Sequence, residues 1–146
     1  MREQLVKAEY NEETGESTVM LNTRWGAFTR TVKVHEEDKD VANKWDGCKF
    51  AHYLCRVDAM KAEARVYDER AVGLRHGAAV LQKASMTSIY WNYSPDSVLE
   101  LYCLAEDFEK RAENIRNIVA ELEAKYPEIC EKTLAARRAT RAMENK

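Results

Sequence analysis

The chain has 146 residues, 45% of them hydrophobic and 33% charged, which is the size and balance of a single folded domain and not of a disordered segment. Its net charge of −2 exerts no global pull on nucleic acid or anionic lipid, so neither is an expected partner without a local basic patch. No apolar run approaches the ~18 residues of a membrane span, residues 1–15 lack the apolar core of a secretion signal, and Cys48, Cys55, Cys103 and Cys130 show no paired short spacing; a cytoplasmic chain with reduced thiols is expected.

Residues 1–35 read as strands. Val6, Ala8 and Tyr10 alternate with charged neighbours, and Val19 and Leu21 with polar ones. With Thr14-Gly15 as the turn, Tyr10 faces Val19 and Ala8 faces Leu21, Gly15 supplying the positive φ of a tight hairpin. A third strand follows Arg24-Trp25-Gly26, with Phe28, Val32 and Val34 on one face and Thr29, Thr31 and Lys33 on the other. The expectation is a three-stranded antiparallel meander whose apolar face needs a cover.

The period changes at Glu36. EEDKD is a helix start, because carboxylates suit the positive end of the helix dipole. From there Val41, Trp45, Cys48, His52, Cys55, Ala59, Ala62, Val66, Glu69, Gly73, His76 and Val80 recur at alternating spacings of four and three, a heptad seam. A long helix is expected over 36–86, with a break allowed at Gly47. Phe50, Leu54, Val57, Ala64, Ala71, Leu74, Ala78 and Leu81 form a second stripe, and Tyr53, Met60 and Tyr67 a third. A helix apolar on several sides wants several neighbours.

After an aromatic connector at 87–95, Ser94-Pro95-Asp96 caps a second helix over 96–126 with Leu101, Leu104, Phe108, Ala112, Ile115, Val119 and Leu122 as its seam. Pro127 is expected to kink or end it, leaving a frayed terminal helix over 127–146. The fold class is therefore α+β: one domain, a meander followed by a long antiparallel helical hairpin and a C-terminal helix. Between Ala59 and Leu81 the first helix carries more apolar surface than one partner hides, so a homo-oligomer, a dimer or larger, is expected.

Catalytic signals are weak. Cys48, His52 and Cys55 share a helix face, but i to i+7 spans ~10 Å, too far for one zinc ion with ligands at ~2.0–2.3 Å. No orienting acid or oxyanion donor accompanies the Cys/His pairs, and GLRHG is not a phosphate loop. No metal, no cofactor and no enzymatic activity are expected. Arg137, Arg138 and Arg141 read as a solvated helix end. Binding chemistry is better represented. Tyr90, Trp91 and Tyr93 can stack, and Asn92 can read a base edge. Arg24, Arg30, Arg75 and Lys83 can meet phosphates, Trp25 can serve as a platform beside its arginines, and His76 can touch a ligand near the hairpin tip.

This order of elements, antiparallel strands, two long antiparallel helices and an aromatic-polar tip, resembles the phage-encoded anti-Thoeris sponge proteins. That family sequesters nucleotide-derived immune signals between subunits without cleaving them. The resemblance covers the order of elements and carries no site residue across. It implies a non-enzymatic protein of phage or mobile-element type that sequesters a small nucleotide-derived signal as an oligomer. The alternative is a protein–protein inhibitor or adaptor that docks on a host defence enzyme through its aromatic tip or apolar helix stripe.

Overall fold

The computed structural model describes residues 3–87 and 95–145. Strands β1 (Gln4–Tyr10), β2 (Glu16–Thr23) and β3 (Gly26–Lys33) form an antiparallel sheet in the order β1-β2-β3. A 3-10 turn at Glu36–Asp38 leads to two long helices, α1 (Asp46–Thr87) and α2 (Pro95–Glu144). The meander and the helical hairpin expected of the sequence are both present. The chain forms two compact units, residues 1–60 with 119–146, and residues 61–118.

In the first unit, β2 is the central strand and its alternation decides the packing. Ser17, Val19, Leu21 and Thr23 are buried, while Thr18, Met20 and Asn22 are half-buried on the other side. Val19 and Leu21 join Cys48, Ala51 and Cys55 of α1 in the core, with Ala8, Phe28 and Val32 against them. Burying one such aliphatic side chain contributes roughly 1.5–3 kcal/mol. Both thiols point at the sheet: Cys48 donates to the Glu9 carbonyl at 3.6 Å, and Cys55 to those of Val19 and Phe28 at 3.5 Å.

The β1–β2 register departs from the expected one by two residues: Tyr10 lies opposite Ser17, and Ala8 opposite Val19. The turn is longer than Thr14-Gly15, because the Asn11 side chain accepts from Glu13 N and Thr14 N while Gly15 N donates to the Asn11 carbonyl. Gly15 does take a positive φ, 74°. The register also shifts between Leu5 and Lys7, and this bulge puts Leu5 in place of Val6 on the side of Ala8.

Helix α1 starts ten residues later than the acidic run implies. Asn43 caps it: its side chain accepts from Trp45 N at 2.9 Å, and Asp46 reaches back to Asn43 N at 2.7 Å, a reciprocal capping box. Asp46-Gly47 is thus the beginning of one helix and not a break between two. Gly47 is needed for close approach, since a Cβ there would overlap the buried Ser17 hydroxyl and meet its Cβ at 2.9 Å. Pro127 does not end the second helix, since it lies inside α2. Around it Tyr126 stacks on Tyr53 at 5.7 Å, Tyr53 OH donates to the Leu122 carbonyl, and Leu134 is buried. Near the end of α2, Arg137, Arg138 and Arg141 are tied back to the 38–46 segment.

In the second unit the packed stripe is the one built on Ala64, Ala71 and Ala78, all at most 2% exposed. On α2 the equivalent positions are Ala105 and Ala112, each at 0%. Alanine every seventh residue lets two helices approach closely, which β-branched residues would prevent. Arg75 with Glu109 and Asp68 with Arg116 bridge the pair along one flank, and their descending order shows antiparallel packing. Leu104 yields its expected seam place to Ala105. The heptad seam reads differently along its length. Cys48, Cys55 and Ala59 are buried, while Glu69, Gly73, His76 and Val80 are exposed; Trp45, too, is exposed and precedes the helix.

Gly47→Ala should lower stability by ~1–3 kcal/mol through overpacking, read as a lower urea midpoint. Adding Ser17→Ala, which removes a hydroxyl with no hydrogen-bond partner among the described residues, should recover much of that loss. An unchanged midpoint in Gly47→Ala would contradict the close approach.

Candidate functional site

Arg24 and Trp25 occupy the two-residue β2–β3 turn. The Thr23 hydroxyl fixes it, accepting from Trp25 N at 3.1 Å and donating to the Gly26 carbonyl at 2.8 Å. The Arg24 guanidinium stands 5.0 Å from the Trp25 ring centre. Arg30 shares the helix-facing side of β3 with Phe28 and Val32, and it reaches Asp58 of α1 through Nε at 2.6 Å and Nη2 at 2.8 Å. That bidentate bond holds Arg30 above its ordinary pKa. In the second unit Arg75 binds Glu109 at 2.6 Å, and His76 is exposed on the outer side of α1. Of the expected site residues, the structure brings Arg24 and Trp25 together, while Arg30 and Arg75 each engage a carboxylate. Tyr90, Trp91, Asn92 and Tyr93 lie outside the described residues.

Among the described residues no three His, Cys, Asp or Glu side chains converge as a metal set. Burial pushes the Cys55 thiol up from its ordinary value, with the nearby Asp58 charge adding to the effect. A raised thiol that donates to carbonyls is a poor nucleophile. Burial raises Cys130 and, more strongly, Tyr126, which is also raised by its hydrogen bond with Cys130.

The tail arginines are not free charges on a solvated helix end: though partly exposed, each has a partner in the 38–46 segment. Arg137 donates to both oxygens of Asp46 at 3.2 and 3.3 Å, and Arg138 to both oxygens of Asp38 at 2.6 Å. Arg141 donates to the Asp40 carbonyl. Asp38 and Asp46 are buried at 3% and 0% exposure. Nothing in the local sequence marks them as interior residues. The only available signal is the charge match between an acidic 36–46 segment and a basic 137–141 segment.

A second group missed in the sequence lies in the second unit. Tyr67 and Phe108 pack with ring centres 5.6 Å apart. Arg70 stands 5.8 Å from both rings, and Arg111 stands 5.6 Å from Phe108. Neither arginine has a carboxylate partner among the described residues, so two cations converge on one aromatic pair without neutralisation. Periodicity marks Phe108 as a seam residue and places Tyr67 on the third stripe of the first helix; the arginines look like ordinary solvated charges until the two helices are placed side by side. Elsewhere the surface has shallow cavities. One of about 760 Å³ is lined by Tyr10, Glu12, Glu13, Glu16, Lys44 and Trp45, and an apolar notch of about 270 Å³ lies between Leu5, Val19, Trp45 and His52.

The chain matches no family model, and no curated protein or solved structure is similar to it.

The Asp38–Arg138 pair gives a pH dependence. The Arg138 guanidinium holds the Asp38 carboxyl below its ordinary 3.8, so the folded chain binds fewer protons there than the unfolded one. The pair's contribution is complete above about pH 4 and is lost as pH falls through the folded value. Asp38→Asn should melt at a lower temperature at neutral pH and lose less stability on acidification than the parent. Calorimetry across acid pH checks both, and parallel curves for the two proteins would refute the role of the pair.

Proposed function

We propose that the protein is a non-enzymatic binding protein for a small anionic ligand that carries an aromatic base, a nucleotide-derived molecule. The observation that carries this reading is the convergence of Arg70 and Arg111 on the Tyr67–Phe108 ring pair. Guanidiniums bind phosphate oxygens in pairs of parallel hydrogen bonds, and aromatic faces accept a stacked base. Two cations held near one ring repel each other, and an anion between them relieves that repulsion. Arg30 and Arg75 are weaker candidates than the sequence implies, because a phosphate would have to displace Asp58 or Glu109. Arg24 over Trp25 offers a second cation–aromatic pair of the same chemistry.

Capture without turnover fits the rest of the chain's chemistry. The Cys48 and Cys55 thiols are spent on sheet carbonyls, and Asp38, Asp46 and Asp58 are each neutralised by an arginine. The competing class, docking on another protein, draws its support from exposed apolar residues on the helices, among them Val72, Val80, Leu99 and Ile118.

A panel of mono-, di- and cyclic nucleotides tests the proposal by thermal shift. A ligand at a hundred times its dissociation constant should add ~2.7 kcal/mol of stability, visible as a rise of several degrees in the melting temperature. Arg70→Ala with Arg111→Ala should abolish the rise, whereas Arg75→Ala should leave most of it. If no nucleotide shifts the melt, or the double variant responds as the parent does, the proposal fails and protein docking takes its place.

A further inference from the structure

Beside the guanidinium pair of the second unit stands a carboxylate that the nucleotide reading leaves unused. Glu63 comes four residues before Tyr67 and seven before Arg70, so the three share one face of α1 over ~10.5 Å of helix. The Tyr67 hydroxyl donates to Glu63 Oε1 at 3.1 Å. Glu63 is half-buried and has no ion pair among the described residues. The cations nearest to it in sequence, Lys61 and Arg65, leave the helix about 160° away around its axis. The ion pairs of Asp68 with Arg116 and of Arg75 with Glu109 bridge the opposite flank. Asp107, next to Phe108 in the chain, opens onto a different notch with Leu99 and Cys103. The Tyr67–Phe108 rings thus have Arg70 and Arg111 at one end and Glu63 at the other.

We infer that Glu63 sets the base specificity of this site and that the base is guanine; the inference rests on the nucleotide reading above. The order of groups carries it. A nucleotide laid along that order has its phosphate at Arg70 and Arg111, its base over the rings, and the base edge farthest from the sugar at Glu63. The ribose hydroxyls fall on the phosphate side of the rings. A carboxylate only accepts hydrogen bonds, and two donors side by side satisfy both of its oxygens. Guanine presents such a pair, N1–H and the N2 amino group. Adenine and cytosine each set an amino donor beside a ring-nitrogen acceptor, which a carboxylate repels. Uracil sets a single N–H between two carbonyls. Glu63 has the capacity to spare. Oε1 keeps a second lone pair while it holds the Tyr67 hydroxyl, and Oε2 accepts nothing among the described residues. The phenol therefore aims the carboxylate without filling it, which makes Tyr67 a positioning residue as well as part of the platform.

Titration calorimetry on the full chain with the 5′-monophosphates of guanosine, inosine and adenosine tests this. Inosine monophosphate lacks the N2 amino group and should bind at least tenfold more weakly than guanosine monophosphate. The 2′,3′-dideoxy form of guanosine monophosphate should bind as tightly as the ribose form. Glu63→Gln sets an amide donor beside an acceptor, with its helical circular dichroism unchanged. It should lose at least tenfold in affinity for guanosine monophosphate and gain affinity for adenosine monophosphate, whose N6 and N1 match the amide. Tyr67→Phe keeps the ring and should narrow the gap between guanosine and inosine. Monophosphates that bind equally whatever their base, and lose binding in Arg70→Ala with Arg111→Ala, would overturn the guanine assignment and leave the nucleotide reading standing. So would a dideoxy form that loses as much as inosine monophosphate, since Glu63 would then hold the ribose. If no monophosphate binds, both fall.

Discussion

The Asp46 carboxylate is fully buried where α1 leaves its loop, and an isolated charge there would carry a penalty of several kcal/mol. It is held by the Asn43 backbone N–H on one side and the Arg137 guanidinium on the other. Asp38 repeats the arrangement with Arg138. These two acids tie the approach to α1 to the last turns of α2, and much of the first unit follows from that tie. The capping box fixes where α1 begins, and with that the position of Gly47 against Ser17. The sheet can then lie close on Cys48, Ala51 and Cys55. The tie also explains why α2 runs through Pro127. A proline inside a helix costs ~3 kcal/mol, but a chain that stopped there would leave both carboxylates without their cations.

Helix α1 divides its circumference among different tasks. Its first turns give one side to the sheet through small thiol and alanine residues. Farther along, the alanine stripe goes to α2 within the second unit. The sides left over carry the guanidinium pair over Tyr67 and Phe108 on one, and the exposed Val72, His76 and Val80 on another. Because the alanine stripe draws the helices close, the long side chains at its margins are pushed outward. Arg70 and Arg111 therefore stand beside the aromatic pair, within reach of solvent.

Elements with strong periodicity were legible in the sequence. The alternation of Ser17, Val19, Leu21 and Thr23 gives a half-buried strand, and the spacing of Ala112, Ile115, Val119 and Leu122 gives a helix with one packed side. Which stripe of α1 meets which neighbour was not legible, because hydrophobicity alone ranks Val80 above Ala78, whereas close packing selects the smaller residue. The start of α1 was misplaced because EEDKD satisfies a helix dipole as well as it satisfies a set of distant arginines. Pro127 is a strong local stop, and its override depends on contacts up to a hundred residues away in sequence, such as Asp38 with Arg138. For the site, the sequence pointed to Arg, Trp and Tyr, and of these Arg24 and Trp25 stand together. Arg30 and Arg75 are nonetheless neutralised by acids that no local pattern links to them, while Arg70 and Arg111 become a pair only through the antiparallel register.

The bulge between Leu5 and Lys7 has a consequence beyond register. A three-stranded sheet has two open borders, β1 and β3, and an unpaired strand invites other strands to add on without limit. Here one border is kinked by the bulge and flanked by Lys7 and Glu9, and the other carries Arg30 and Lys33. The bulge and charge on β1, and charge alone on β3, make both borders poor templates for edge-to-edge growth into fibrils. Strands protected in this way stay a closed set of three.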